Sequence, residues 1–335
     1  MQDLYYRREE WVNLEGKELN DFKQGIIRFF REKGFPYHKM ELNDQIHHME
    51  VMDRYCSKNT IVEGTTVKQT MHCLGLAWSY FPHHWDIRCG NNKTAMEVFE
   101  DDRLLLKAIE KRMKSGTHIN IAMMRKTFKV AGGAQVVSNF RPSASRAIYD
   151  LFAGEGNVWD MSAGFGGRLL GALSSKKVKM YIGTEPSKVT FNGLMKMSDN
   201  LGSEFNTDVI LDNIGSEDFE PEPNSLDLCF TSPPYFNNEK YSDEPTQSYI
   251  KYPTKEEWLN GFLGETLDRC KTGLKKDGTL IINIADVKSY PHLTSDFLNL
   301  AEKKGFELIG RMKLALSKAH SGGKFKYEPI FVFKA

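Results

Sequence analysis

Asp160-Met161-Ser162-Ala163-Gly164-Phe165-Gly166-Gly167-Arg168 follows an apolar run, NVWDMS (157–162), and leads into the helix-forming RLLGALSS (168–175). Glycines at 164, 166 and 167 let the backbone turn tightly and come close to a ligand. The helix start that follows leaves amide groups unpaired. Strand, glycine turn and helix in succession is the nucleotide-cofactor geometry of doubly wound sheets. The spacing G-x-G-G is not the dinucleotide G-x-G-x-x-G, which argues against a nicotinamide. Taken alone, the stretch also reads as an ordinary strand–helix turn.

Downstream the same alternation recurs. VKMYIGT (178–184), TDVILD (207–212), SLDLCFT (225–231) and TLIINIA (279–285) are short, β-rich runs separated by helical stretches. Such alternation implies βαβ units and a mainly parallel sheet. FELIGRMKLAL (306–316) and KYEPIFVFKA (326–335) are joined by a polar loop and predict an antiparallel hairpin at the sheet edge. Upstream, residues 1–135 read as mostly helical. DFKQGIIRFFREKG (21–34) is an amphipathic helix stopped by Gly34, and Thr94 with Glu97 forms a capping box before Phe99, Leu106, Ile109 and Met113. The expected class is α/β, with a helical domain over 1–135 and a sheet domain over 136–335.

The 335 residues suit two domains. With 40% hydrophobic and 27% charged residues, the chain is neither disordered nor fibrous. No apolar run is long enough to span a bilayer, and MQDLYYRREEW has no secretory core. Five cysteines (56, 73, 89, 229, 270) without CxxC spacing fit a reducing, cytoplasmic compartment, and no metal site is expected from them or from the histidines. The net charge of +1 hides an uneven distribution. Between 111 and 149 lie eight basic residues (Lys111, Arg112, Lys114, Arg125, Lys126, Lys129, Arg141, Arg146) and no acid.

Three further motifs stand at strand ends. Glu185, before Pro186, closes the second strand, where a carboxylate can accept from both hydroxyls of a ribose. Asp218 and Phe219 follow the third strand, placed to accept from an amino group and to lie on an adenine ring. Thr231-Ser232-Pro233-Pro234-Tyr235-Phe236 ends the fourth, where two prolines and aromatics make a rigid platform at the ligand edge of an open sheet.

The glycine turn and the Pro-Pro turn together resemble the S-adenosylmethionine-dependent amino-methyltransferases of DNA. Their signature is Asp, Asn or Ser, then Pro-Pro, then Tyr, Phe or Trp. Ser232-Pro233-Pro234-Tyr235 matches it in full, and the likeness extends over about residues 138–335. It implies a Rossmann-like, seven-stranded methyltransferase sheet, with the closing hairpin as strands six and seven. It also implies that Asn139 and Phe140, then Asp160, Ser162, Ala163, Gly164, Phe165 and Gly166, hold the methionine end of the cofactor. Glu185 and Pro186 would take the ribose, Asp218 and Phe219 the adenine, and Thr231 would border the catalytic turn.

An exocyclic amine is a poor nucleophile, because its lone pair is delocalised into the ring. The Ser232 oxygen and the Pro233 carbonyl can accept its protons and rehybridise it, after which attack needs mainly positioning. Tyr235 offers a face on which a flipped-out base can stack. Ring-carbon methylation needs a Pro-Cys nucleophile; the chain has none, and Cys229 reads as a small buried hydrophobe. Serine at the first motif position leans toward cytosine N4 over adenine N6.

Only 71 positions separate Asp160 from Thr231, so the usual place for a target-recognition domain has no room. DNA contacts are therefore expected from Lys111, Arg112, Lys114, Arg125, Lys126 and Lys129. They are also expected from Lys240, Tyr241 and Gln247 in the long segment 237–258, and from Lys318 and Lys324 in the hairpin loop. The expected partner is duplex DNA, and a restriction endonuclease companion is compatible with such an enzyme. Two other readings stay open: methyl transfer to RNA or to a protein glutamine, and a non-catalytic nucleic-acid-binding subunit that keeps the fold.

Overall fold

A computed structural model describes residues 4–58, 62–316 and 326–335. Its contacts divide the chain into two compact units, Met1–His38 with Pro82–Ser138 and Lys39–Phe81 with Asn139–Ala335.

The first unit is helical. Gly16–Lys33, Ala95–Glu100, Asp102–Lys114 and Ile121–Phe128 surround a core that includes Ile26, Phe30, Phe35, Trp85, Phe99, Ile109 and Phe128. Gly34, at φ 77°, ends the first helix, as its lack of a Cβ permits. The capping box forms: Glu97 N donates to Thr94 Oγ1 (3.1 Å) and Thr94 N to Glu97 Oε2 (2.7 Å). The apolar stripe from Phe99 to Met113 is split between two helices, because Asp101 accepts from the amides of Arg103 and Leu104 and so starts a new one.

The second unit carries a nine-stranded sheet. Its strands are β1 (Val62–Glu63), β2 (Thr66–Val67), β3 (Gly156–Asp160), β4 (Val178–Thr184), β5 (Asp208–Asp212), β6 (Leu226–Thr231), β7 (Leu274–Asn283), β8 (Glu307–Ala315) and β9 (Tyr327–Lys334), in the order β1-β2-β8-β9-β7-β6-β3-β4-β5. The five strands from β7 to β5 are parallel, and β9 runs antiparallel to both β7 and β8. The α/β class, the parallel block and the C-terminal hairpin are those expected. Two features differ. The hairpin does not form the sheet edge, because β2 pairs with β8 (Thr66 opposite Lys313) and β1 extends the sheet beyond it. And Lys39–Phe81, expected within the helical domain, packs with the sheet unit. Val67 is fully buried there, Gln69 Nε2 donates to the Ala315 carbonyl (2.7 Å), and Arg146 reaches Asp53 (2.6 Å).

Among the described residues, no helix is long and apolar enough to cross a membrane.

Candidate active site

Asp160 ends β3 and is fully buried, beside Thr231 at the end of β6 and Tyr181 in the middle of β4. Its Oδ2 accepts from Arg168 Nε (2.8 Å) and the Tyr181 hydroxyl (2.7 Å), and its Oδ1 accepts from the Thr231 hydroxyl (2.9 Å) and the Ser162 amide (3.3 Å). A buried carboxylate is costly unless paired and hydrogen-bonded, and here every lone-pair direction has a donor. Asp160 and Thr231, expected at the cofactor, are thus bonded to each other. They lock the glycine turn to the Pro-Pro turn.

The glycines act as their positions require. Gly164 (φ 54°) and Gly166 (φ 68°) take the left-handed conformation, and Gly166 caps the helix Gly167–Ser174. A Cβ at Gly167 would lie 1.9 Å from the Phe140 carbonyl oxygen, and one at Gly171 would lie 2.0 Å from Ser145 Oγ. The segment from Asn139 into the helix Pro142–Phe152 therefore presses directly on the turn, and Asn139 Nδ2 donates to the Phe165 carbonyl (2.9 Å). A Cβ at Gly164 would meet only the Ser162 carbonyl at 3.6 Å, so the outer side of the turn is roomy.

Glu185 is buried beside that turn. Its Oε2 accepts from the Gly164 amide (3.0 Å) and its Oε1 from the Ser187 amide (2.9 Å). Burial pushes its carboxyl up to about 7, against the lowering effect of the two amides. Acceptor capacity remains on both oxygens.

In the third loop Asp218 is exposed, while Phe219 lies against Trp159, ring centroids 4.9 Å apart. Glu217 beside them is buried. Lys251 Nζ bonds Glu217 Oε1 (3.0 Å) and also the Asp218 carboxylate.

Lys251 belongs to the segment after the Pro-Pro turn, which behaves as a strap. Glu244 Oε1 accepts from the Lys188 amide (2.9 Å), the Thr246 hydroxyl donates to the Pro186 carbonyl (3.2 Å), and the Tyr241 ring stands 6.0 Å from that of Phe165. The strap thus touches the glycine turn and the loops that follow β4 and β5. Of the three residues expected to contact a base from this segment, Lys240 is exposed, Tyr241 donates to the Glu239 carboxylate, and Gln247 is buried.

Ser232 to Tyr235 lies at the end of β6. Pro233 is buried, and the Tyr235 ring packs on the core cluster that contains Trp159 and Trp258. Phe236 is buried between Trp258 and Tyr290, and this anchoring holds it in the left-handed region at φ 55°, a strained state for a residue with a Cβ. The Tyr235 hydroxyl donates to the Asn283 main-chain carbonyl (3.4 Å). Burial, then the neighbouring Glu328, raise the Tyr235 phenol well above its ordinary value. Cys229 is fully buried.

The cations of the acid-free stretch are largely anchored. Lys111 Nζ donates to the Val130 carbonyl (2.7 Å), Arg112 to the His118 carbonyl through two nitrogens, and Arg125 to the Pro36 and Tyr37 carbonyls. Lys129 lies 5.0 Å over the Trp85 ring, while Lys114 and Lys126 are exposed. Arg146 is buried between Asp53 and Asp150, so its charge is neutralised internally. Lys318 and Lys324 lie outside the described residues.

Three residues at the site escaped sequence reasoning: Arg168, Tyr181 and Lys251. Arg168 stood inside the quoted stretch, and an arginine one residue into an apolar helix is a signal that could have been used.

Compared with known proteins, residues 226–334 match the model of a DNA methylase family, a span running from β6 through β9. No curated protein matches the chain. Solved structures with a similar fold include three methyltransferases. Magnesium protoporphyrin IX methyltransferase of Synechocystis, with bound SAM, is 12% identical over 58% of this chain and 77% of its own, TM-score 0.40. A TehB-like SAM-dependent methyltransferase of Corynebacterium glutamicum is 15% identical over 59% and 89%, TM-score 0.37. TYW2 of M. jannaschii, in complex with AdoMet, is 17% identical over 59% and 76%, TM-score 0.36.

Proposed function

We propose that the second unit transfers a methyl group from S-adenosylmethionine to an exocyclic amine of a base in duplex DNA, cytosine N4 ahead of adenine N6. The observation that carries this reading is the Asp160–Thr231 bond, which fixes the glycine turn and the Ser-Pro-Pro-Tyr turn on neighbouring strands. The family match over β6 to β9 supports the same chemistry.

The residues fit the cofactor. The outer side of Gly164 is roomy, Glu185 keeps acceptor capacity for a ribose, and Glu217 Oε2 is buried with no hydrogen-bond partner. When bound, S-adenosylmethionine supplies a methyl group on a cationic sulfur. Ser162, Gly164 and Phe165 would hold its methionine end with Asn139 behind them. Glu185 would bind the ribose, and the loop at Asp218 and Phe219 the adenine. Ser232 Oγ and the Pro233 carbonyl would accept the two amine protons of the target base and turn its lone pair outward. Holding reactants in this way contributes up to roughly 7–11 kcal/mol toward the barrier. The Tyr235 ring, fixed on the core, would stack on a base brought out of the helix.

The test uses methyl-labelled S-adenosylmethionine with duplex DNA, RNA and protein offered in parallel. Label is expected in DNA, and Ser232→Ala and Tyr235→Ala are expected to retain cofactor binding while losing transfer by roughly 100-fold. Label confined to RNA or protein, or none despite cofactor binding, would overturn the reading.

A further inference from the structure

The first unit has an open cleft of about 400 Å³, whose lining includes Asn92, Lys129, Val130, Gly133, Gln135 and Val136. Two loops make it. Lys93 N donates to the Gly133 carbonyl (3.2 Å) and Gln135 N donates to the Lys93 carbonyl (3.1 Å). The segment before the capping box is thereby zipped to the segment after the helix Ile121–Phe128. Gly132 and Gly133 both take left-handed backbone, at φ 60° and 84°, which reverses the chain between the two. A Cβ at Gly132 would lie 3.2 Å from the buried Val98, whereas one at Gly133 would meet nothing within 4 Å. The backbone at Gly133 therefore stands at open space in the cleft wall.

The side chains of the cleft carry a pattern. Asn92 uses its amide hydrogens within the unit: Nδ2 donates to the Cys89 carbonyl (3.1 Å) and to Gln135 Oε1 (2.8 Å). Among the described residues, Asn92 Oδ1 and Gln135 Nε2 have no partner. An acceptor and a donor held together in this way match the N6 amino group and N7 of adenine in a major groove. Arg88 donates to the Asn92 carbonyl (3.0 Å) and pairs with Glu97, which fixes the loop that carries Asn92. Cations stand beside the amides. Lys129 lines the cleft with its ammonium 5.0 Å over the Trp85 ring, and Lys111 Nζ donates to the Val130 carbonyl (2.7 Å), which leaves its other donors for a ligand. No carboxylate is among the lining residues. The Gly133 amide makes no hydrogen bond among the described residues, and a free amide beside two ammonium groups suits a phosphate oxygen. Val130, 59% exposed, adds apolar surface for a sugar.

We propose that this cleft holds one strand of duplex DNA, with a phosphate on the Gly133 amide, Lys111 and Lys129 and an adenine edge on Asn92 and Gln135. The inference rests on the proposed transfer to DNA and assigns sequence reading to the first unit. Charge complementarity selects an anionic polymer, and the joined amides select a base over a bare anion. Phosphate contacts set the register of a strand, and base contacts specify it; the cleft offers both within one cavity. Neither the glycine turn nor the Pro-Pro turn contributes to it.

Two measurements on the full chain test this. In the first, a randomised pool of duplexes is offered to the protein and the bound fraction is sequenced. Wild type is expected to select adenine at one position by roughly 10-fold, and Asn92→Ala combined with Gln135→Ala is expected to lose that selection while binding S-adenosylmethionine normally. The same selection by the double variant, or no adenine selected by wild type, would overturn the proposal. In the second, fluorescence anisotropy across a salt series compares wild type with Val130→Glu, which sets a carboxylate in the cleft. Duplex binding roughly 10-fold weaker is expected at an unchanged thermal midpoint, with Val130→Asn binding as wild type does. Wild-type affinity in Val130→Glu would overturn the proposal. So would tighter binding of RNA than of duplex DNA that Val130→Glu abolishes, which would give the cleft to RNA. A cleft that fails these tests leaves the methyl transfer standing. A wild type that passes both yet methylates no substrate removes the methyltransferase reading and leaves the cleft assigned.

Discussion

Glu185 shows how far a single residue can be read from its position. Its place at the tip of the second strand was legible. Its state was not, because that depends on amides of Gly164 and Ser187 and on how much surface the fold covers. Its pKa is raised from the ordinary 4.5 to about 7. The stability associated with the neutral form is therefore fully present below pH 4.5 and is lost as pH rises through about 7, a span of about 3 kcal/mol. A ribose donating to the carboxylate favours the charged form, so cofactor affinity follows the opposite course. Calorimetric titration between pH 5.5 and 8 is expected to show S-adenosylmethionine binding that tightens up to about 7 and then levels off. Glu185→Gln is expected to flatten the profile, and flat wild-type binding would contradict the assignment. Asp160 gives the complementary lesson. Its partners stand 8, 21 and 71 positions away, and no local pattern announces such a hub.

At the scale of elements, the glycine turn and the Pro-Pro turn were both legible because each is local chemistry at a strand end. What the turn packs against was not. Gly167 and Gly171 are one helical turn apart and admit the backbone and side chains of the Asn139–Phe152 region. Gly171→Ala would force its Cβ onto Ser145 and is expected to destabilise by about 1–3 kcal/mol, read as a lowered midpoint in urea unfolding. An unchanged midpoint would show that the helices part freely. The segment 237–258 was visible as too long for a plain connection and reads as a lid or a base-contacting loop; its bonds run to the loops that follow β4 and β5, which distance along the chain hides. Lys251→Met removes the cation that pairs Glu217 and Asp218. It is expected to speed cofactor release several-fold in stopped-flow displacement while leaving the Ser232 turn intact. Release at the wild-type rate would separate the strap from cofactor retention.

For the molecule as a whole, alternating strands and helices announced the α/β class, and the closing hairpin was legible from two β-rich runs around a polar loop. The addition of β1 and β2 was hidden, since two-residue strands carry no period, and their pairing partner lies 247 positions away. For the same reason Lys39–Phe81 read as part of a helical domain. Net charge was the least informative quantity. The acid-free stretch drew attention to eight cations, but Arg146 is spent on Asp53 and Asp150, and several others are tethered to backbone carbonyls. Lys114 and Lys126 remain exposed. Replacing both with glutamine is expected to weaken duplex DNA binding and lower its salt dependence by roughly two released counterions, measured by anisotropy across a salt series. An unchanged slope would place the DNA elsewhere.

The central claim is the fate of one methyl group, and nucleoside mass spectrometry reads it directly. Duplex DNA is incubated with the full chain and S-adenosylmethionine carrying a deuterated methyl, then digested to nucleosides. The expected product is N4-methylcytidine or N6-methyladenosine in the deoxy form, bearing the heavy methyl on the exocyclic nitrogen and absent with Ser232→Ala. Heavy methyl on cytosine carbon 5, or DNA nucleosides without label from a protein that binds the cofactor, would contradict it.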